Sequence, residues 1–139
     1  MPDPTYRLDD QVGYLLRLAS QRHAALFQSL MTHDLTPTQF AMLARLGEVG
    51  SGSQNQLGRL AGMDVATAKG VVDRLAAKGL VTLSPDQSDG RRHVISLSPE
   101  GEKLLPELRK IGREISRATL APLTQHDRQE ITRLLRALA

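Results

Sequence analysis

The stretch from residue 53 to residue 97 carries, in order, the signals of a short helix, a tight turn, a longer helix and a β-hairpin. The segment SQNQ at 53–56 predicts a capping box that starts the short helix, and Gly62 is expected to end it. Asp64 is a favourable N-cap for the longer helix, and Gly79 follows its last residues. A short helix, a Gly-containing turn and a longer helix are the parts of a helix-turn-helix motif, whose second helix enters the DNA major groove.

Apolar residues recur at helical spacing in both helices and predict which face of each is buried. The expected inward positions are Leu57, Leu60 and Ala61 in the short helix and Val65, Ala68, Val71, Val72 and Leu75 in the longer one. The opposite face of the longer helix is small near its N-terminus, so its backbone could approach base edges closely; it carries Ala66, Thr67, Lys69, Gly70, Asp73, Arg74 and Ala77. Gly70 costs about 1 kcal/mol relative to alanine inside a helix. Close approach to DNA would explain that cost, and a tolerated glycine on a solvated face is the alternative.

A β-hairpin with a long polar tip is predicted after this helix. The segments LVTL at 80–83 and VISL at 94–97 have strand-like composition, and the residues between them are rich in turn formers. The tip includes Asp89, Gly90, Arg91 and Arg92. Two arginines on a projecting loop suit contact with phosphates or with a narrow minor groove, whereas two solvated surface charges are the alternative.

The flanking segments predict long amphipathic helices. From residue 9 to about 33 an apolar stripe runs along one helix that is too long for a small core, which indicates a partner chain; its members are Val12, Leu15, Leu16, Ala19, Leu26, Phe27 and Leu30. Thr36-Pro37-Thr38-Gln39 predicts a capped second helix, which Gly47, Gly50 and Gly52 are expected to end in a flexible turn. Ser98-Pro99 and Thr124 with Asp127 predict the starts of two further helices. The expected fold class is mainly α with a small β-hairpin wing, a winged helix-turn-helix domain with terminal dimerisation helices.

Three segments follow from this pattern within one domain of 139 residues. Residues 1–35 are expected to form an N-terminal dimerisation and pocket helix, residues 36–98 the winged DNA-binding region, and residues 99–139 the C-terminal dimerisation helices.

Composition excludes several function classes. The chain has no cysteine, so disulfides, thiolate zinc sites and thiol-based peroxide sensing are not available to it. His23, His33, His93 and His126 are scattered rather than paired at metal spacing, and GSGS at 50–53 lacks the lysine of a phosphate-binding loop. We therefore expect no enzyme activity, no metal and no cofactor. No signal peptide or membrane-length apolar run is present in the sequence, and a cytoplasmic protein is expected. The net charge of +3 is compatible with DNA as a partner but does not establish it.

Three segments make the sequence resemble the MarR-type transcription regulators: VVDRLAAKGLV at 71–81, DGRRHVISLSPEG at 89–101 and NQLGRLAGMDVATAKG at 55–70. The resemblance implies that Arg91 reaches the minor groove and that Asp89 supports the wing by orienting arginine side chains. It departs at Lys69 and Gly70, where the family commonly has Thr or Ser followed by Arg, so the bases read are not carried over. The predicted DNA-binding residues are Ser53, Gln54, Asn55, Ala66, Thr67, Lys69, Gly70, Arg74, Arg91 and Arg92.

The resemblance also implies a homodimer, a double-stranded pseudo-palindromic operator and repression released by a small aromatic carboxylate. Two recognition helices would lie one DNA turn apart, roughly 34–36 Å. His23 lies in the apolar stripe of the first helix with Arg22 at its edge, and these two, with Thr38 and Phe40, are the predicted ligand-binding residues. A hydrogen-bonded core or interface histidine is the alternative for His23. The segments RLASQRHAALF and LTPTQF resemble a branch that controls breakdown of aromatic or nicotinate-like acids. The other function left open is a helical dimer whose winged domain binds protein.

Overall fold

The computed structural model describes residues 2–139, over which it has six α-helices and one three-stranded antiparallel sheet. The elements are α1 (Val12–Leu30), α2 (Pro37–Val49), β1 (Ser51–Ser53), α3 (Gln54–Leu60), α4 (Val65–Ala77), β2 (Val81–Pro85), β3 (His93–Leu97), α5 (Pro99–Leu120) and α6 (Gln125–Leu138). A 3-10 turn at Leu8–Asp10 precedes α1. The predicted winged helix-turn-helix fold class is confirmed. Met1, the first residue of the predicted 1–35 segment, lies outside the described residues.

The helix starts follow the predicted caps. The Thr36 hydroxyl accepts a hydrogen bond from the backbone N–H of Gln39, and the Thr36 N–H donates in return to Gln39 Oε1. Asp64 caps α4 by accepting from the Thr67 N–H at 2.7 Å. Thr124 caps α6 through the Asp127 N–H at 3.2 Å. These bonds satisfy backbone donors that a helix start leaves unpaired. Because each cap involves residues three positions apart, the sequence alone predicted these helix starts.

Ser53 forms half of its predicted capping box. Its hydroxyl accepts from the Gln56 N–H at 3.2 Å, and no return bond from the Gln56 side chain occurs within residues 2–139. Gly62 and Gly79 end α3 and α4 as predicted, each with a positive φ, 75° and 74°, that glycine adopts without strain.

The chain divides into two compact units, residues up to Leu30 with Gly112–Ala139, and Met31–Ile111. The second unit contains α2, α3, α4 and the sheet around a continuous aliphatic core. Met42, Leu46, Leu57, Val72 and Leu75 are fully buried at its centre. The short α3 and the longer α4 are therefore held by one core, as a helix-turn-helix requires.

The sheet has the order β1-β3-β2, with Ser51 opposite Ser96 and Val81 opposite Leu97. The hairpin of β2 and β3 was predicted, but the expectation of a flexible turn at Gly50–Gly52 is wrong, because β1 pairs there with β3. Three small residues carry no strand signal, and pairing across the fold makes them a strand.

Gly47 does not end α2, which continues to Val49. A Cβ at this position would clash with the Leu105 side chain, so the glycine admits α5 close to α2.

Two predicted core positions are wrong. Leu60 is 40% exposed and Val65 is 64% exposed, whereas the other apolar positions named in α4 are buried. Leu60 is the last residue of a seven-residue helix and Val65 is the first of α4, so both flank the Gly62 turn. Helical spacing of apolar residues predicts a buried face but not where along the helix the core ends, so it wrongly included these two terminal positions.

The first unit contains α1, the end of α5 and α6. Phe27 and Ile115 are buried, but an apolar set stays exposed: Tyr6, Leu8, Val12, Leu15, Leu16, Leu18, Leu134, Leu135 and Leu138. Part of the stripe predicted for the first helix, namely Val12, Leu15 and Leu16, is in this set. No helix in the described part of the chain has the length and apolar character needed to cross a membrane.

Candidate nucleic-acid interface

The outward face of α4 is free of the core along its length. Ala68, Val71, Val72 and Leu75 are buried on the opposite face and anchor the helix. Of the predicted reading residues, Gly70 is half-buried and the rest are exposed, namely Ala66, Thr67, Lys69 and Arg74. The backbone N–H and the hydroxyl of Thr67 hold the pKa of the Asp64 carboxyl below its usual value. The N-terminal turn of α4 is thus capped by an ionised carboxylate.

The two cations of α4 are placed differently. Lys69 Nζ lies 2.9 Å from an Asp73 carboxylate oxygen, one helical turn away. A Cβ built on Gly70 would lie 3.1 Å from Arg74 Nη1, so the Arg74 guanidinium rests beside the vacant side-chain position of Gly70. Because Gly70 has no side chain, the long side chain of Arg74 can lie along the helix toward Gly70, one turn nearer the N-terminus.

The wing tip is organised around two aspartates. Asp89 accepts from the Arg91 backbone N–H at 3.1 Å and from Arg91 Nε at 3.4 Å, and Arg92 Nε lies 3.8 Å from its other oxygen. Hydrogen bonds from the side chain and then the backbone of Ser88 lower the pKa of Asp86. The Arg91 side chain remains 93% exposed despite its contact. Asp89 therefore restrains two guanidinium groups that stay open to solvent.

A groove of about 460 Å³ lies between the wing and the start of α3. It brings together half of the predicted DNA-binding residues, and its full lining is Ser53, Gln54, Asn55, Arg59, Leu83, Arg91, Arg92, His93 and Ile95. Three arginines and a histidine line it, and none of these lining residues is acidic. The groove can hold an extended anion along its length.

Sequence reasoning missed Arg59 and His93 in this groove. Arg59 follows Asn55 by four residues on α3, so helical spacing alone would have placed the two on one face. His93 is the first residue of β3 and directly follows Arg92.

Arg22 and His23 lie against the C-terminal end of α5, within the first unit. The Arg22 guanidinium donates to the backbone carbonyls of Thr119 and, at 2.9 Å, of Ala118. His23 Nδ1 is 2.8 Å from Thr119 Oγ1, which donates its own proton to the Ile115 carbonyl at 2.8 Å. Since a hydroxyl has one proton, Thr119 must accept from His23 Nδ1–H, and Nε2 of a neutral His23 is then an acceptor.

Thr38 and Phe40 belong to the second unit, at the start of α2. The Thr38 hydroxyl lies 3.3 Å from that of Thr36, and Phe40 is half-buried against the core of that unit. The predicted ligand residues thus fall into two pairs, one in each unit. No group of three or more metal-ligating side chains occurs within the described range.

The chain is similar to known transcription regulators. A model of the MarR family matches residues 33–92. The HTH-type transcriptional repressor NicR of Pseudomonas putida is 40% identical over 134 residues, covering 96% of this chain and 85% of NicR. A probable transcriptional regulator of Pseudomonas aeruginosa superposes with a TM-score of 0.92 and 53% identity, over 96% of this chain and 100% of the other.

A third similar protein is regulated by a small aromatic acid. Bordetella bronchiseptica BpsR, whose DNA binding is regulated by 6-hydroxynicotinic acid, superposes with a TM-score of 0.90 and 36% identity, over 96% of both chains.

Proposed function

Because the chain belongs to the MarR family of transcription regulators, we propose that it binds operator DNA as a homodimer through α4 and the wing, and that a small aromatic carboxylate releases it. The observation that carries the DNA part is the cationic groove between wing and α3. It lies in the unit that also exposes the outward face of α4. This unit can offer a helix to a major groove and cations to the adjoining backbone.

The proposed contacts divide by chemistry. In this proposal the small residues at the start of α4 approach base edges in the DNA major groove. Arg74, which lies over Gly70, reaches into the same major groove. Arg91 enters the minor groove, oriented by Asp89. Groups along the wing–α3 groove hold the phosphate backbone, namely Ser53, Gln54, Asn55, Arg59 and Arg92.

The exposed apolar set of the first unit supports the homodimer. Leu15, Leu16, Leu134 and Leu135 are each between 40% and 50% exposed, and Leu138 is more so. Large apolar side chains exposed on terminal helices cost free energy in water unless a partner covers them. On this proposal residues 1–35 and 99–139 supply dimer contacts and residues 36–98 read the DNA, so the operator is pseudo-palindromic.

The effector part of the proposal rests on His23 and on BpsR. Nε2 of a neutral His23 can accept a hydrogen bond from a ring hydroxyl or ring N–H, and a protonated His23 can pair with a carboxylate. Arg22, in the same unit as His23, completes this pair, and the predicted pair of Thr38 and Phe40 belongs to the other unit and stays a separate prediction. A ligand that binds better to a conformation unsuited to DNA shifts the population by that difference in affinity.

Repression is the proposed mode of regulation, because NicR, at 40% identity, is named a transcriptional repressor. The other candidate, a helical dimer whose winged domain binds protein, is not favoured by this relative.

Selection from random duplexes tests the DNA part of the proposal. Purified protein should enrich one pseudo-palindromic motif with half-sites about one helical turn apart, roughly 10 base pairs. Enrichment of no motif, together with capture of duplexes regardless of sequence, would contradict it.

A titration of 6-hydroxynicotinate against the selected operator complex tests the effector part. Nicotinate, which lacks the ring hydroxyl, is the matched ligand. His23→Ala should bind operator normally and respond less to 6-hydroxynicotinate, whereas His126→Ala on α6 should respond as the wild type does. If neither acid changes operator affinity, or if His23→Ala responds fully, this part of the proposal fails.

A further inference from the structure

The loop between α1 and α2 contains two consecutive residues in the left-handed region. His33 has φ of 62° and Asp34 has φ of 52°. Residues other than glycine uncommonly adopt this conformation, although histidine and aspartate do so more often than most. Two such residues in a row are favoured where neighbouring structure holds them.

The stabilising group comes from the end of the recognition helix. Lys78 Nζ donates to the backbone carbonyl of His33 and to that of Asp34, both at 2.9 Å. Lys78 is the C-cap residue of α4 and lies 44 residues beyond Asp34 in sequence. One ammonium group thus bonds to the carbonyls of both left-handed residues. The contact lies wholly within the Met31–Ile111 unit.

We propose that Lys78 is a positioning residue that fixes the direction of α4 by clamping its C-terminal end to the His33–Asp34 turn. This inference rests on the proposed function, since direction matters because α4 reads DNA. The apolar core below α4 sets how deeply the helix lies, but apolar contacts are non-directional. Two charge-assisted hydrogen bonds to backbone carbonyls add a directional restraint at the C-terminal end of α4 to the packing of its apolar face.

The surroundings of Lys78 favour a clamp over a phosphate contact. The cavity beside it, of about 360 Å³, is lined by both signs of charge, with Glu100 and Glu107 near Lys78 and Lys103. These carboxylates would repel a DNA backbone. The wing–α3 groove has no acidic lining residue and is where the phosphates are proposed to lie.

The His33–Asp34 turn lies near the start of the Met31–Ile111 unit. Leu30 ends α1, and Met31 begins the unit that contains α4. Lys78 therefore ties the recognition helix to the stretch through which the chain enters the DNA-binding unit.

Lys78→Met tests the clamp through DNA binding. Methionine keeps most of the aliphatic stem and removes the donors, and Lys78→Met should weaken operator binding about fivefold, the loss expected for about 1 kcal/mol of hydrogen bonding. An unchanged operator affinity for Lys78→Met would overturn the proposal.

Salt dependence separates a clamp from a direct contact. Lys78→Met should leave the slope of log affinity against log salt unchanged, whereas loss of one phosphate contact from each subunit of the dimer lowers it by about 0.9 per contact, or about 1.8 in all. Lys78→Arg should restore binding, and Lys103→Met, an exposed lysine of the same cavity, should have no effect. A reduced slope for Lys78→Met would overturn the proposal.

Amide hydrogen exchange tests the clamp without DNA. The Leu35 N–H donates to the Thr32 carbonyl across the turn, and its exchange should speed up several-fold in Lys78→Met but not in Lys103→Met. If the wild type binds no duplex, the proposed function fails while this exchange result still decides whether the clamp exists. Unchanged exchange at Leu35 would overturn it.

Discussion

Gly70 leaves room for the Arg74 guanidinium beside the helix, because a Cβ at position 70 would lie 3.1 Å from Arg74 Nη1 and displace it by a few tenths of an ångström. The sequence offered close approach to DNA as one reason for a glycine inside this helix, with a tolerated glycine as the alternative, but it could not identify Arg74 as the neighbour that uses the space. Arg59 was missed although its spacing from Asn55 was visible. The contacts of Arg22 and His23 with Thr119 join residues 96 or 97 apart, which no local pattern reveals.

Gly70→Ala should therefore stabilise the protein and weaken DNA binding. Alanine gains about 1 kcal/mol of helix propensity over glycine, while its Cβ displaces a flexible guanidinium rather than backbone. Chemical denaturation should show the higher stability and operator titration the lower affinity. If Gly70 acts through Arg74, Gly70→Ala should cost little further affinity once Arg74→Gln is present. An unchanged operator affinity for Gly70→Ala would contradict the role assigned to this space.

At the scale of elements, the capping residues and the terminating glycines are enough to predict most helix ends from the sequence. Caps are local, since a side chain bonds to a backbone group three residues away. The strand β1 and the exposure of Leu60 and Val65 were not predictable in this way. They depend on where β3 passes and where the core stops, which are properties of the whole unit.

The packing of α3 on α4 depends on Gly58. A Cβ at this position would lie 2.7 Å from the Ala68 Cβ, so the two helices would have to separate. Gly58→Ala should lower the free energy of unfolding by about 1–3 kcal/mol, as overpacked core substitutions do. Gly58→Ala with Ala68→Gly should recover much of the loss, because the second change vacates the contact. Thermal or denaturant unfolding of the four proteins measures this, and a neutral Gly58→Ala would contradict the close approach.

The Asp64 cap should make stability depend on pH in acid. Its folded-state pKa lies below the ordinary value of 3.8 because the Thr67 backbone N–H and hydroxyl bond to the carboxylate. The resulting stability is present above that value and is lost as pH falls through the lower folded-state pKa. Asp64→Asn keeps a capping oxygen that does not titrate, so its denaturant midpoint should fall less as the pH is lowered through this range. Parallel acid profiles for both proteins would contradict the assignment.

At the scale of the whole molecule, each of the two units has one chemically distinct exposed surface. The first unit exposes apolar side chains on α1 and α6, and the second exposes cations on the wing. The sequence anticipated both, since the apolar stripe was too long for a small core and the hairpin tip carried paired arginines. A second copy of the chain and a DNA duplex are the proposed partners.

Leu16→Glu should convert the dimer to monomer at micromolar concentration and lower operator affinity. A charge in the exposed apolar set of α1 would have to be desolvated on association. Val49→Glu, which also alters an exposed apolar residue but at the end of α2, is the control and should remain dimeric. Analytical ultracentrifugation gives the masses. A monomeric wild type, or a fully dimeric Leu16→Glu, would refute the proposed interface.

The salt dependence of operator affinity for the wild type and Arg91→Ala tests the central claim most directly. Binding through wing and groove phosphates predicts a linear fall of log affinity with log salt, at about 0.9 per phosphate neutralised. Arg91→Ala should bind more weakly with a shallower slope, because its exposed guanidinium is lost from each wing. A wild type that ignores the selected duplex at low ionic strength, or an Arg91→Ala protein with undiminished affinity and slope, would contradict the account.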